Sequence, residues 1–223
     1  MYSNAEGVPE GLAGLVMTGA DLARRLEERK RRPLRSAAAL ERLSGGALSR
    51  GTLIELCGPR SSGRFAIALA ALARATRVGE ASALIDLGDH LDPRAAEEAG
   101  IELARLLWAR PRTLKEALVC AHAAVGAGFA FVVLDLGERR GDRVAAASWL
   151  RLARAAEAGQ AVVLLVSERP TAGPAAASIV TVESARAVWD HDGPPLFAGL
   201  SSTLSLRKRR GGGGGRLSLQ LPL

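Results

Sequence analysis

Between residues 52 and 167 the chain alternates short runs that are apolar throughout with longer stretches of helical period. The apolar runs are Thr52–Cys57, Ala83–Leu87, Leu103–Trp108, Phe129–Leu136 and Ala161–Ser167. The helical stretches are Arg64–Arg77, Arg94–Ala99, Thr113–Val125 and Asp142–Ala158. A strand with no polar alternation must be buried on both faces, and helices between such strands cover a parallel sheet. Thr113 with Glu116 three residues on is a capping box that fixes one helix start. After residue 175 the rhythm stops. Ser178–Glu183, Thr203–Arg207 and Arg216–Leu221 read as hairpin strands on an antiparallel edge, with Gly211–Gly215 as a tip. The pattern therefore predicts an α/β fold: a mostly parallel sheet covered by helices on both faces, an antiparallel C-terminal edge and a helical N-terminal arm. The arm and its linker occupy residues 1–45, with a charged helix over 19–32 that starts near Asp21 and stops before Pro33. The core domain occupies 46–223.

Composition narrows the function classes. The chain holds 42 Ala but only eight aromatic residues, so the core is made of Ala, Leu and Val. That weighs against a binder of single strands by aromatic stacking. The net charge is +7, and the 30 basic residues are 27 Arg and three Lys: Lys30, Lys115 and Lys208. Most Arg alternate with acids on helices. The dense exception is Arg207, Lys208, Arg209, Arg210 and Arg216, which is either a contact for a phosphate backbone or partner, or a solvated hairpin tip. Leu22 and Leu26 give the arm a narrow apolar stripe suited to a partner. Trp108 and Trp149 are expected in the core. Trp189 and Phe197 fall in an irregular part and are expected at an interface. Cys57 and Cys120 each lie within an apolar run, which suits a reduced, cytoplasmic protein. The absence of a CxxC and the scatter of His90, His122 and His191 argue against a zinc site. No membrane span is expected, because no window approaches 18 uninterrupted apolar residues, and no secretory signal is visible.

The first apolar strand runs directly into Gly58-Pro59-Arg60-Ser61-Ser62-Gly63-Arg64-Phe65 and then a helix. Strand, Gly-rich turn and helix is the setting of a phosphate-binding loop. Two positions depart from that pattern: Arg64 stands where it has Lys, and Phe65 where it has Ser or Thr.

Gly-Pro-x-Ser-Ser-Gly at the end of a strand resembles the bacterial recombinase RecA. Leu84-Ile85-Asp86 with Leu91-Asp92-Pro93, and Phe131-Val132-Val133-Leu134-Asp135, agree in order and spacing over roughly residues 45–221. The resemblance implies that Asp135 would support the water shell of Mg²⁺, and that the carboxylate positioning the attacking water would stand at Gly88. Arg64 keeps the charge of the Lys but is planar and larger. Phe65 offers no oxygen to a metal, and Gly88 offers no carboxylate. No Lys elsewhere in the chain replaces the missing one in cis. ATP hydrolysis is therefore expected to be lost, leaving Gly58, Pro59, Arg60, Ser61, Ser62, Gly63, Arg64 and Phe65, with Gly88 and Asp135, as a vestigial nucleotide loop. ATP and Mg²⁺ are not expected as cofactors; weak nucleotide binding through the loop amides stays open. Asp86 and Asp135 also have a plainer reading as strand-end carboxylates bonded to backbone amides or a nearby Arg.

In the recombinase two mobile loops hold single-stranded DNA. Here the corresponding stretches, Gly137–Gly141 and Glu168 to about Ala177, are short. A RecA-like core with a degenerate loop and no clear DNA loops is similar to the ImuA group. That resemblance implies a non-catalytic scaffold in DNA-damage-induced (SOS) mutagenesis. Its implied partners in translesion synthesis are an inactive Y-family polymerase homologue (ImuB-like) and an error-prone polymerase. Contacts with RecA and weak DNA backbone binding are further expectations, as is a cytoplasmic, nucleoid-associated location. Two alternatives stand beside it: a RecA-like ATP-binding repair ATPase, and a DNA-binding accessory regulator of the recombinase.

Overall fold

The computed structural model describes residues 19–21, 24, 27–28, 34, 40–41, 48–138, 144–190, 196–209 and 215–222. The chain divides into two units, residues 1–32 and 33–223. In the first, the described residues are helical, and Arg24 donates to Asp21 one turn earlier at 2.6 Å. Leu22 and Leu26 lie outside the described residues.

The second unit carries strands β1 (Thr52–Cys57), β2 (Ser82–Asp86), β3 (Leu106–Ala109), β4 (Phe131–Asp135), β5 (Val162–Ser167), β6 (Ser178–Asp190), β7 (Leu196–Arg209) and β8 (Gly215–Pro222). Its helices are α1 (Arg64–Arg77), α2 (Pro93–Glu98), α3 (Leu114–Gly126) and α4 (Ala146–Gly159). Among the described residues these strands form one eight-stranded sheet in the order β3-β2-β4-β5-β1-β6-β7-β8. Pairing is parallel from β3 to β6 and antiparallel from β6 to β8. The fold is the mostly parallel α/β sheet with an antiparallel C-terminal edge that the apolar runs require.

Successive residues of the parallel strands face opposite sides, and both sides are covered. Leu56, Leu84, Val133 and Leu164 pack with Ile67, Ala71 and Leu72 of α1. Leu53, Ile85, Leu134 and Leu165 pack with Ala117 and Ala121 of α3 and with Trp149, Leu152 and Ala156 of α4. Alanine on the inner face of each helix lets its backbone approach the sheet closely. Leu34, Leu40 and Leu48 from the connector join the α1 side. Leu34 and Leu48 exchange two backbone hydrogen bonds of 3.0 Å. The capping box of α3 is partly offset: Thr113 Oγ1 accepts from the Glu116 amide at 3.2 Å, whereas Glu116 reaches back to the amide of Arg112 at 2.8 Å.

The structure corrects several boundaries. The run expected as a strand from Leu103 opens as a 3₁₀ turn, Leu103–Arg105, held by an Arg105–Glu102 ion pair at 3.0 Å. β6 and β7 are much longer than the segments expected there. Register shifts at Ile179/Val180, Val182/Ser184 and Val188/Trp189 interrupt the alternation that marks a strand in sequence. Trp189 and Phe197 are consequently not in irregular chain. They face each other across the hairpin, edge to face, with ring centres 5.7 Å apart. Trp149 is fully buried, but Trp108 is only half-buried. Helix α4 is described from Ala146, and residues 139–143 lie outside the described set. No helix among the described residues is long and apolar enough to cross a membrane.

Leu164 is completely buried on a central strand. Leu164→Ala is expected to cost about 2–5 kcal/mol, read as a lowered urea midpoint with an unchanged denaturant slope.

Candidate functional site

Parallel register brings strand ends into line. Cys57 of β1 lies opposite Ser167 of β5, and Asp86 of β2 opposite Asp135 of β4. The turns leaving β1, β2, β4 and β5 thus share one edge of the sheet, where ligands of open α/β sheets gather. The turn after β1 is the Gly58–Gly63 loop. Ser61 has φ 57° and Gly63 φ 86°, and Gly63 caps α1 with no side-chain bond. Gly58 lies tight against β6: a Cβ there would stand 2.6 Å from the Val182 carbonyl oxygen.

Arg64 does not project into solvent. It is 6% exposed and folds back across its own loop. One terminal nitrogen of its guanidinium donates to the carbonyls of Gly58 at 2.8 Å and Pro59 at 2.7 Å. The other donates to the carbonyl of Gly137, beyond β4, at 3.3 Å. The loop and the end of β4 are tied together by one cation. Arg60 adds an exposed ion pair with Glu138 at 3.0 Å across the same gap, worth little in water. Ser202 of β7 donates to the Ser62 carbonyl at 3.0 Å. The Ser62 hydroxyl is buried with no partner among the described residues. A cleft of about 400 Å³ opens here, lined by Ser61, Ser62, Arg64, Phe65, His90 and Leu200 among others.

Phe65 turns toward β2, its ring edge-on to His90 at 5.4 Å. His90 Nδ1 lies 2.9 Å from Asp135 Oδ2. Asp135 Oδ1 accepts from the Gly137 amide at 3.2 Å. Burial pushes the Asp135 carboxyl above its ordinary range, while His90 and the Gly137 amide pull it partly back. Asp86 accepts from the amides of His90 at 3.0 Å and Leu91 at 2.9 Å, and from the Trp108 indole at 3.2 Å. Gly88 makes this packing possible. A Cβ there would fall 2.6 Å from the His90 ring and 2.8 Å from Asp135.

The turn after β5 is fixed from below. Glu55, fully buried in the middle of β1, accepts hydrogen bonds from the backbone amides of Thr171 and Ala172. Ser167 and Thr171 hydroxyls both donate to the Arg169 carbonyl. The Glu168–Ala177 connection is thereby a short tied turn. In the C-terminal hairpin Arg207 is exposed, and Arg216 pairs with Glu183 at 2.5 Å. The side chains of Lys208 and Arg209, and all of Arg210, lie outside the described residues. Cys57 and Cys120 are free thiols, and burial raises the Cys57 pKa.

The structure thus brings together the loop residues, Gly88 and Asp135 from the sequence reading, and leaves Arg207 and Arg216 outside the loop's cleft lining. It adds His90 and Glu55. His90 was one of three scattered histidines in sequence; its signal is the spacing Asp86-x-x-x-His90 directly after a strand. Glu55 was a lone acid in an apolar strand.

Comparison with known proteins agrees with the fold. The RecA N-terminal domain family matches residues 32–137. Protein RecA of Pseudarthrobacter chlorophenolicus is 40% identical over 104 residues, 46% of this chain and 30% of that protein. Protein RecA of Acidothermus cellulolyticus is 38% identical over 102 residues, again 46% of this chain and 30% of that protein. The RadB recombinase crystal structure superposes with a TM-score of 0.62 at 18% identity, covering 83% of this chain and 93% of that one. The fold is RecA-like. The chain spans about 30% of the length of these curated RecA relatives, and the family match at residues 32–137 holds β1, β2, β3, β4 and the loop.

Glu55→Ala is expected to leave the buried Ala172 amide and the part-buried Thr171 amide without their acceptor, at about 1–3 kcal/mol for the buried one. Hydrogen exchange should accelerate at Thr171 and Ala172 far more than in β4.

Proposed function

We propose that the chain is a non-catalytic RecA-like scaffold of the bacterial DNA-damage response, of the ImuA type. In this reading it brings an inactive Y-family polymerase homologue and an error-prone polymerase to translesion synthesis. The observation that carries the reading is the Arg64 guanidinium. A phosphate cradle works by aiming amide N–H groups and a Lys ammonium at an anion. Here the cation's donors are turned onto backbone carbonyls, two in the loop and one beyond β4. Three of its five N–H groups are held by these carbonyls, and turning the guanidinium outward to a phosphate would cost those bonds; a buried cation stripped of partners is costly.

The other parts point the same way. ATP chemistry of this kind needs Mg²⁺, and the residues here do not fit that group well. Phe65 supplies no oxygen, and its ring is packed on His90. Asp135, the expected support for the metal's waters, is engaged with the His90 imidazole. A carboxylate at position 88 would collide with that imidazole. The tied turn after β5 supports a reading without a mobile DNA loop.

Docking is supported by the open sheet edge at β3, where Leu107 is 44% exposed and Leu103, just before it, 38%. An extended segment from a partner can add to such an edge through main-chain hydrogen bonds.

A nucleotide site filled to a hundred times its Kd would add about 2.7 kcal/mol, about 5–10 °C in Tm for a chain of this size. The expected result is no rise with ATP and Mg²⁺ and no phosphate release. The double variant Arg64→Lys with Phe65→Thr should regain ATP binding without regaining hydrolysis, because position 88 is still glycine. Phosphate release by the unaltered chain would sink the scaffold reading. Leu107→Asp should reduce capture of the polymerase partners from DNA-damaged cells while leaving the fold, read by circular dichroism, unchanged.

A further inference from the structure

We propose that Asp86, His90 and Asp135 form a binding site for one divalent metal of the Zn²⁺ class, with His90 at the lining of the phosphate-loop cleft. Donor atoms of the three residues lie within 4.8 Å of one another. Both carboxylates are 1% exposed, and the imidazole is 37% exposed. The buried carboxylates are held side by side by strand register, a pairing of like charges that is unfavourable unless something between them is positive. A dication bound between them offsets both charges.

The ligands are already aimed. Metal-binding carboxylates are oriented by a surrounding shell of hydrogen bonds. Asp86 receives three such bonds from the His90 and Leu91 amides and the Trp108 indole, and Asp135 one from Gly137. Phe65 buttresses the imidazole plane. Gly88 supplies the room in which His90 Nδ1 meets Asp135 Oδ2. One nitrogen and two carboxylates suit Zn²⁺, Mn²⁺ or Fe²⁺. Mg²⁺ wants six oxygens at strict octahedral angles and keeps its water. Three protein ligands with a vacant side is the pattern of an open zinc site. On binding, the metal takes the place of the proton shared between His90 Nδ1 and Asp135, and that proton moves to Nε2 or to solvent.

The proposal does not rest on the loop being inactive, because its test contains no nucleotide. The full chain, stripped with a chelator and dialysed, is titrated by calorimetry with Zn²⁺ and separately with Mg²⁺. One Zn²⁺ per chain is expected, bound at least tenfold more tightly than Mg²⁺. Its affinity should fall at least tenfold in His90→Ala and in Asp135→Asn. It should be unchanged in Asp89→Asn, an exposed carboxylate engaged with Arg110. His90→Gln, which keeps the size and a donor toward Asp135, replaces His90→Ala if the latter does not fold. No stoichiometric Zn²⁺, a preference for Mg²⁺, or a fall of less than tenfold in either ligand variant would overturn the site.

Discussion

A parallel sheet buried on both faces has almost no place for a polar side chain except at the ends of its strands. That constraint orders the chain from residue 52 to 182. Along β1, β2, β4 and β5, apolar side chains fill both layers, and each helix adds a stripe of Ala or Leu. Polar groups collect where the strands stop: Asp86, Asp135 and Ser167. Glu55 is the exception within a strand, and it is tolerated because its carboxylate reaches the turn beyond β5 and is met there by backbone amides.

The strand ends then form one connected polar layer. Gly137 joins its parts: the amide donates to Asp135, and the carbonyl accepts from Arg64. Through this one residue the cation of the loop and the carboxylate of β4 are coupled without touching. A lysine in place of Arg64 has a single ammonium and could not hold the two loop carbonyls and Gly137 in the same planar fork. The loop is therefore adapted to its arginine. Phe65 completes the exchange: where a hydroxyl would face the cleft, an aromatic edge supports His90 instead.

How much of this was legible in the sequence follows from the same physics. β1, β4 and β5 read clearly because full burial leaves uninterrupted apolar runs, and α1 and α3 because of helical period and, for α3, the Thr113 cap. β6 and β7 did not. They pair chiefly with each other, and their bulges break the period of two. The connector's Leu34, Leu40 and Leu48 are too sparse to register as an element, yet each is buried. In the site, Arg64, Phe65 and Gly88 were visible because a known spacing makes any departure conspicuous. His90 and Glu55 were not, since each meets its partners through strand register rather than through neighbours in the chain.

The residues at 64, 65 and 88 are linked through their contacts. Gly88 admits the His90 ring; the ring occupies Asp135 and receives Phe65; Arg64 holds Gly137, whose amide orients Asp135. Reversing one position alone leaves the others unsatisfied. A carboxylate at 88 would displace His90, a hydroxyl at 65 would leave its ring unsupported, and a lysine at 64 would strand a carbonyl. The three positions behave as one alternative packing of the strand ends, in which buried charge is balanced by the protein's own groups.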